Sequence, residues 1–551
     1  MQVNLEPTVS VGTNTTTTTP STTTSIAPAR HCPPVKGLAG PAPARIETID
    51  PMEASIAVAR AVFPCADEVV VTTANDLGLM AMSAQLAAAV GGPLLVAGEG
   101  NRAPLEAELE RLAPRKVTLV GGSLPVAMPA EATVEVLEGS VEELVEVAAA
   151  ALEADIRVEL AEGGIPAVAR ILWPIGNGRS VWIPGSGSEQ VCDRDADQIT
   201  AAIDHRARTA EPEGDLWLVD ACSPELALIA AVAARSAGGT VLLADGRDLR
   251  ANRALVDALP GSSAAGPVVL LGEITPEADW QIAALLGDQE LPGGGLTLFP
   301  GRRIVALYGN PTTPALGVMG EQGPDEAVER ARAVAAPYGE DGTEILPAFE
   351  IIATVASATA TADGDYSWEM TVEELRPWIE VAAREGLYVT LDLQPGRTDF
   401  LTQAKRFEEL LLLPHVGLAL DPEWRLQPNQ VHLRQIGSVD AAEVNQVVEW
   451  LAGLVRANHL PQKLLILHQF KFSMITNREL IATPPELAVL VHADGQGPIH
   501  TKYETFQSLT GAADVDRWWW GWKNFYDEDS PTPAPAQVLE LDPLPVYVSY
   551  Q

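Results

Sequence analysis

Val416-Gly-Leu-Ala-Leu-Asp421-Pro-Glu423-Trp424 decides the fold. A short apolar run that turns abruptly polar, without internal alternation, is the pattern of a strand buried on both faces, as in a parallel sheet. Working outward, seven more such runs occur, at 304–308, 345–352, 387–393, 464–469, 487–492, 518–523 and 546–550. Between them, 326–336, 372–385, 400–413 and 441–458 carry apolar residues at i, i+3 and i+4 with charges between, which predicts amphipathic helices. This α/β alternation over residues 303–551, close to the roughly 250 residues such a fold takes, predicts a (β/α)8 TIM barrel. The Gly/Pro-rich stretch at 291–295 reads as its boundary, so the barrel domain is expected over 300–551.

Barrel enzymes place their chemistry where the strands end. Strand one ends in Tyr308 and Asn310, strand two carries Glu350, and strand three ends in Asp392 and Gln394. Strand four ends in Asp421, Glu423 and Trp424, strand five carries His468 and Gln469, and strand six ends in His492, Asp494 and Gln496. Strand seven ends in Trp522, Lys523 and Asp527, and strand eight in Tyr550. A single aspartate in such a turn is ordinarily a helix N-cap, whereas carboxylates on most strands with a histidine and tryptophans predict a ligand site. Eight of the twelve tryptophans lie in this half. Flat aromatic faces suit pyranose rings, although half of the 518–522 cluster is expected to fill the core.

Clustered carboxylates with aromatics fit glycoside hydrolysis, in which one carboxylic acid protonates the leaving oxygen and a second group stabilises the oxocarbenium-like centre. In an extended strand end, Asp421 and Glu423 would project to one side, and their repulsion would raise one pKa. Glu423 is expected to be the proton donor and Asp421 its partner, with Asp494 and Asp392 positioning substrate or water. Tyr308, Glu350, Gln394, Trp424, His468, Gln469, His492, Gln496, Trp522, Lys523, Asp527 and Tyr550 are the expected substrate-binding residues. This reading needs no cofactor and no metal. A metal-dependent hydrolase using Asp392, Asp421, Asp494 and His468 is an alternative, as is a non-catalytic glycan-binding module. No HxH or HExxH spacing occurs among the eight histidines.

The first half holds an internal duplication: 69–98 aligns without a gap on 216–245. Each copy runs from a strand through a helical pattern (77–90; 224–237) to a second strand, a further helix and a third strand ending in a turn. This predicts tandem doubly wound α/β repeats at 45–136 and 213–290, with an insertion or decayed repeat at 137–212. The glycine pairs at Gly91 and Gly238 follow a helix, where glycine caps the C-terminus. Neither copy has a phosphate-loop spacing after its first strand.

The order of segments around Ile56-Ala-Val-Ala-Arg-Ala-Val-Phe-Pro64, Gly92-Pro-Leu-Leu95 and Val120-Gly-Gly122 resembles the type 2 cell-wall-binding repeat of Gram-positive surface proteins. That resemblance implies attachment to anionic wall polymers. The half from Arg303 onward is similar to an uncharacterised barrel domain of actinobacterial surface proteins, on Leu418-Ala-Leu-Asp-Pro-Glu-Trp-Arg425 and Trp522-Lys-Asn-Phe-Tyr-Asp-Glu-Asp-Ser530. Its strand-four Asp-x-Glu resembles glycoside hydrolase families 18 (chitinases) and 25 (lysozymes), and Asp494 matches a further aspartate of the lysozyme family. Tyr308 and Asn310 stand where that family has its strand-one aspartate.

Composition narrows the class. With 36 Lys and Arg against 74 Asp and Glu, the formal charge of −38 argues against nucleic-acid partners. No run approaches eighteen apolar residues, so no transmembrane segment is expected. Residues 1–44 open with a Thr/Ser/Pro-rich stretch at 13–25 that reads as a disordered tether, with no signal peptide in this chain. Cys32, Cys65, Cys192 and Cys222 form no CxxC pair and suit disulfides in an oxidising compartment, with three pairings open. The expectation is a secreted or cell-surface glycoside hydrolase-like protein acting on an envelope or extracellular polysaccharide, with the repeats as envelope-binding module.

Overall fold

The computed structural model describes residues 44–140, 214–220, 223–244 and 265–551, with shorter stretches between them and around Cys32. The 13–25 tether, Cys192 and Cys222 lie outside the described residues. Most of the 137–212 segment does too, apart from three short antiparallel strands at Val158–Glu159, Ala169–Ile171 and Val181–Ile183. Of the open disulfide pairings, Cys32 bonds to Cys65.

The first half contains two four-stranded parallel sheets. In the first, β2 (Glu68–Thr73) lies between β3 (Leu94–Ala97) and β4 (Lys116–Val120), and β5 (Thr133–Leu137) adds beyond β4. In the second, β6 (Gly214–Asp220) lies between β7 (Thr240–Ala244) and β8 (Ala265–Leu271). Its outer strand is β1 (Ala44–Ile46), from the start of the chain, pairing Ala44 with Val269. Helix α3 (Pro224–Ala237) packs on both α1 (Pro51–Val62) and α2 (Leu77–Val90), so a single core holds Met80 and Val71 together with Trp217 and Ile229.

Both glycines of each pair have a physical reason. Gly91 (φ 68°) and Gly238 (φ 76°) take the left-handed C-cap conformation that glycine adopts without steric cost. Their successors sit against backbone: a Cβ on Gly92 would lie 2.0 Å from the Glu68 carbonyl oxygen, and one on Gly239 2.4 Å from that of Asp215.

The second half is a closed barrel of eight parallel strands: Arg302–Gly309, Glu344–Ala356, Tyr388–Leu393, Val416–Leu420, Lys463–Gln469, Leu487–Ala493, Trp519–Asn524 and Tyr547–Tyr550. Strand one closes the ring by pairing with both strand two and strand eight. The helix after strand two, Val372–Glu385, starts at a reciprocal Thr371/Glu374 capping box and ends at left-handed Gly386. The helix expected over 400–413 is interrupted by a tighter turn at Lys405–Phe407. One apolar layer lies between strands and helices, and a second fills the barrel floor. Leu291, Leu298 and Phe299, from the segment before strand one, are part of that floor, packed with Ile304, Tyr388 and Ile466. Gln462 ties the segment down, donating to Leu296 O at 2.8 Å and accepting from Leu298 N at 3.0 Å. From the second sheet unit, the buried Arg250 donates to the carbonyl of Pro485, which immediately precedes the Glu486 entry to strand six.

Candidate active site

Inward-pointing residues of a barrel strand recur every second position. Strand seven makes the parity plain. Trp519 packs on floor residue Phe299 with centroids 5.1 Å apart, Trp520 turns out against Phe506, Gly521 turns in, Trp522 turns out against Phe506 and Tyr503, and Lys523 turns in over the Tyr308 ring at 3.4 Å. The same alternation brings Tyr308, Glu350, Asp392, Asp421, His468, His492 and Asp494 toward one interior volume at the carboxyl end of the strands, all of them buried.

His468 is the hub. Its Nε2 lies 2.8 Å from Glu350 Oε1 and 3.9 Å from Asp392 Oδ1, and its Nδ1 lies 3.2 Å from Asp494 Oδ2. Burial alone would lower its pKa, but Glu350, Asp494 and Asp392 outweigh it and hold the imidazole well above its ordinary range. Both ring nitrogens face carboxylate oxygens, an arrangement that favours the protonated imidazole. His492, with its ring 5.2 Å away, is driven the opposite way by burial and by the positive charges of His468, Lys523 and Lys502. Its Nε2 meets Ser549 Oγ at 2.8 Å. Tyr308 donates to Asp392 Oδ2 at 2.8 Å, and Tyr547 donates to Glu350 Oε2 at 3.0 Å.

Strand four ends differently from its expected extended form. Pro422 has no N–H for the ladder, and Pro422–Trp424 forms a 3₁₀ turn, with Trp424 N donating to Asp421 O. Glu423 thus reaches the mouth from a turn, half-buried, while Asp421 stays in the interior. Burial first, then the charge of Asp494, pushes the Glu423 carboxyl up to about 7. The charge neighbour raising it is therefore Asp494 from strand six, where the spacing alone suggested Asp421. Asp421 is itself pushed well above the carboxylate range, by burial and then by Glu423 and Asp392. Asp392 is raised to about 6, mainly by burial. One oxygen each of Asp392, Asp421 and Asp494 is buried without a hydrogen-bond partner.

Other expected site residues lie elsewhere. Trp522 and Tyr550 are on the outward face of their strands, Tyr550 bonding to Tyr338 through the two hydroxyls at 2.7 Å. Gln469 points outward and accepts from Arg478 at 2.8 Å, and Gln394 accepts from Ala356 N at 3.0 Å, bracing the ends of strands two and three. Gln496 and Asp527 are exposed beyond the strand ends. Trp424 is half-buried on the rim, its ring 5.4 Å from that of His432. Tyr547 and Ser549, not among the expected site residues, also face this interior, and their spacing of two on strand eight is the signal that marks one face.

Among the described residues, the group whose ligand atoms gather closely enough to suit a metal is Asp363, Asp365 and Glu369, on the loop after strand two. Their oxygens are engaged by Thr361, Thr398 and Arg406. Among the described residues, no helix is long and apolar enough to cross a membrane.

No family model and no curated protein matches the chain. Among solved structures, Cwp6 from Clostridium difficile is similar at 11% identity with a TM-score of 0.33, over 67% of this chain and 65% of that chain. The present chain thus spans just under two thirds of that neighbour.

Proposed function

We propose that the barrel is a glycoside hydrolase-type domain acting on an envelope or extracellular polysaccharide. The observation that carries the reading is the Glu423 carboxyl, raised to about 7 beside three further buried or near-buried carboxylates at the carboxyl end of a parallel barrel. A group with that pKa keeps its proton near neutrality and can release it in the transition state. Glu423 protonates the glycosidic oxygen as the C1–O bond breaks and its electron pair leaves with that oxygen. Asp494 and Asp392, the latter held by Tyr308 and near His468, face the developing positive charge at C1 and orient water. Asp421, neutral through burial, positions the substrate by hydrogen bonding. The Cys32–Cys65 bond supports an oxidising, extracellular location, and the two sheet units are proposed as the envelope-binding module.

A second reading, a glycan-binding barrel without turnover, is favoured by Asn310. It stands at the end of strand one, fully buried, donating to Ile352 O and accepting from Thr312, a structural role where a carboxylate would be reactive. Sugar release from a panel of cell-wall and extracellular glycans, with and without chelator, separates hydrolysis, binding alone and metal-dependent cleavage. Glu423→Gln should lower turnover by about 10² to 10⁴ with little change in glycan affinity. Turnover equal to the parent's would overturn the assignment.

A further inference from the structure

Beside the rim residue Trp424 lies an open cleft of about 660 Å³, between the loop after strand two and the loop after strand four. Ala358, Thr359, Ala360 and Tyr366 line it from the first loop, and His432, Leu433 and Arg434 from the second. Two of these residues are held in the left-handed region without being glycine: Tyr366 at φ 67° and Leu433 at φ 63°. Such backbone is sterically costly and persists only where surrounding contacts enforce it. At Tyr366 the enforcement is visible, since its carbonyl accepts from Ser357 N at 2.8 Å and meets His432 Nε2 at 3.0 Å. Leu433 is 81% exposed, an apolar surface in the same cleft as Tyr366.

The charge of the cleft is the opposite of the molecule's. In a chain of net charge −38, no carboxylate lines it. Burial lowers the pKa of His432, which leaves Arg434 as its formal charge, exposed and with no ion pair among the described residues. A second guanidinium, that of Arg397, backs the Tyr366 ring at 4.4 Å and is anchored on Gln430 O. The nearby Asp365 is turned away toward Thr361 and Thr398. An apolar platform next to an unpaired guanidinium suits a ring that carries a carboxylate, because Arg binds carboxylates through paired N–H donors while the ring face packs on Leu433 and Tyr366.

We propose that this cleft is a subsite for a carboxylate-bearing pyranose in the glycan that runs across the mouth past Glu423. The proposal rests on the glycan reading of the mouth and adds the chemical class of sugar bound beside it. The test is binding, with no turnover required. The full-length Glu423→Gln protein is titrated calorimetrically with a galacturonate hexamer and with its fully methyl-esterified form, which has the same rings without the charge. The acid is expected to bind at least tenfold more tightly than the ester. Adding Arg434→Gln should remove that preference, and Arg434→Lys should restore part of it. Equal binding of acid and ester, no binding of either, or a preference that survives Arg434→Gln would overturn the subsite. Those outcomes leave the Glu423 assignment standing, because sugar release from neutral glycans reads that assignment separately.

Discussion

Glu423 must carry its proton to act as an acid, so the rate should fall as pH rises through about 7. Asp494 is the largest charge effect holding that pKa up, and Asp494→Asn should move the alkaline limb of the kcat/KM profile to lower pH. Asp421→Asn should move it less, because a carboxyl that burial keeps protonated exerts little charge on its neighbour. An alkaline limb unchanged in Asp494→Asn would show that burial alone sets the acidity of Glu423. His468 carries a different consequence. Replacing it with Gln leaves Glu350 and Asp494 in the interior without their cation, which should cost about 3–5 kcal/mol of stability at pH 7. Urea unfolding of the variant and the parent at pH 7 checks the size, and an unchanged midpoint would show that the buried carboxylates do not depend on His468.

At the scale of the strand, the inward face of strand seven is set by Gly521. A Cβ there would lie 2.3 Å from His492 Nδ1, so Gly521→Ala must displace the imidazole or the strand. A loss of about 1–3 kcal/mol in chemical denaturation is expected. An unchanged midpoint would mean that His492 turns aside freely and is not fixed by Ser549. The positions of the strands were legible in the sequence because each is a predominantly apolar run, as at Leu464 to Leu467. Their orientation was not, because both faces are apolar: the lumen and the helix layer make the same demand. Trp522 and Lys523 are adjacent, and only the stagger of the closed barrel sends the tryptophan outward and the lysine inward over Tyr308.

Across the whole molecule, the barrel floor depends on residues that precede the first strand. Leu291, Leu298 and Phe299 are each nearly fully buried, and burying a side chain of that size contributes about 1.5–3 kcal/mol. A fragment 289–551 should therefore fold alone, and a fragment 300–551 should unfold at clearly lower urea concentration. Equal midpoints would show that the floor segment adds nothing to the barrel. The Gly/Pro-rich stretch at 291–295 reads as a boundary because glycines dominate it, and in the fold Gly293, Gly294 and Gly295 adopt positive φ in a turn that leads the chain on to the floor residues Leu298 and Phe299.

By itself the sequence determined the features that depend on a few neighbouring residues: the eight apolar runs and the helix-ending Gly91 and Gly238. Backbone sterics, capping and periodic burial act within about one turn of helix or one strand, so they can be read along the chain. Tertiary structure alone decided that His468 meets carboxylates from strands two, three and six, that Asp494 raises Glu423, and that the loops at 358–366 and 431–434 enclose a cleft whose charge is Arg434. Desolvation and Coulomb interaction act through space and follow which strands become neighbours when the barrel closes, and no local stretch of residues encodes that distance.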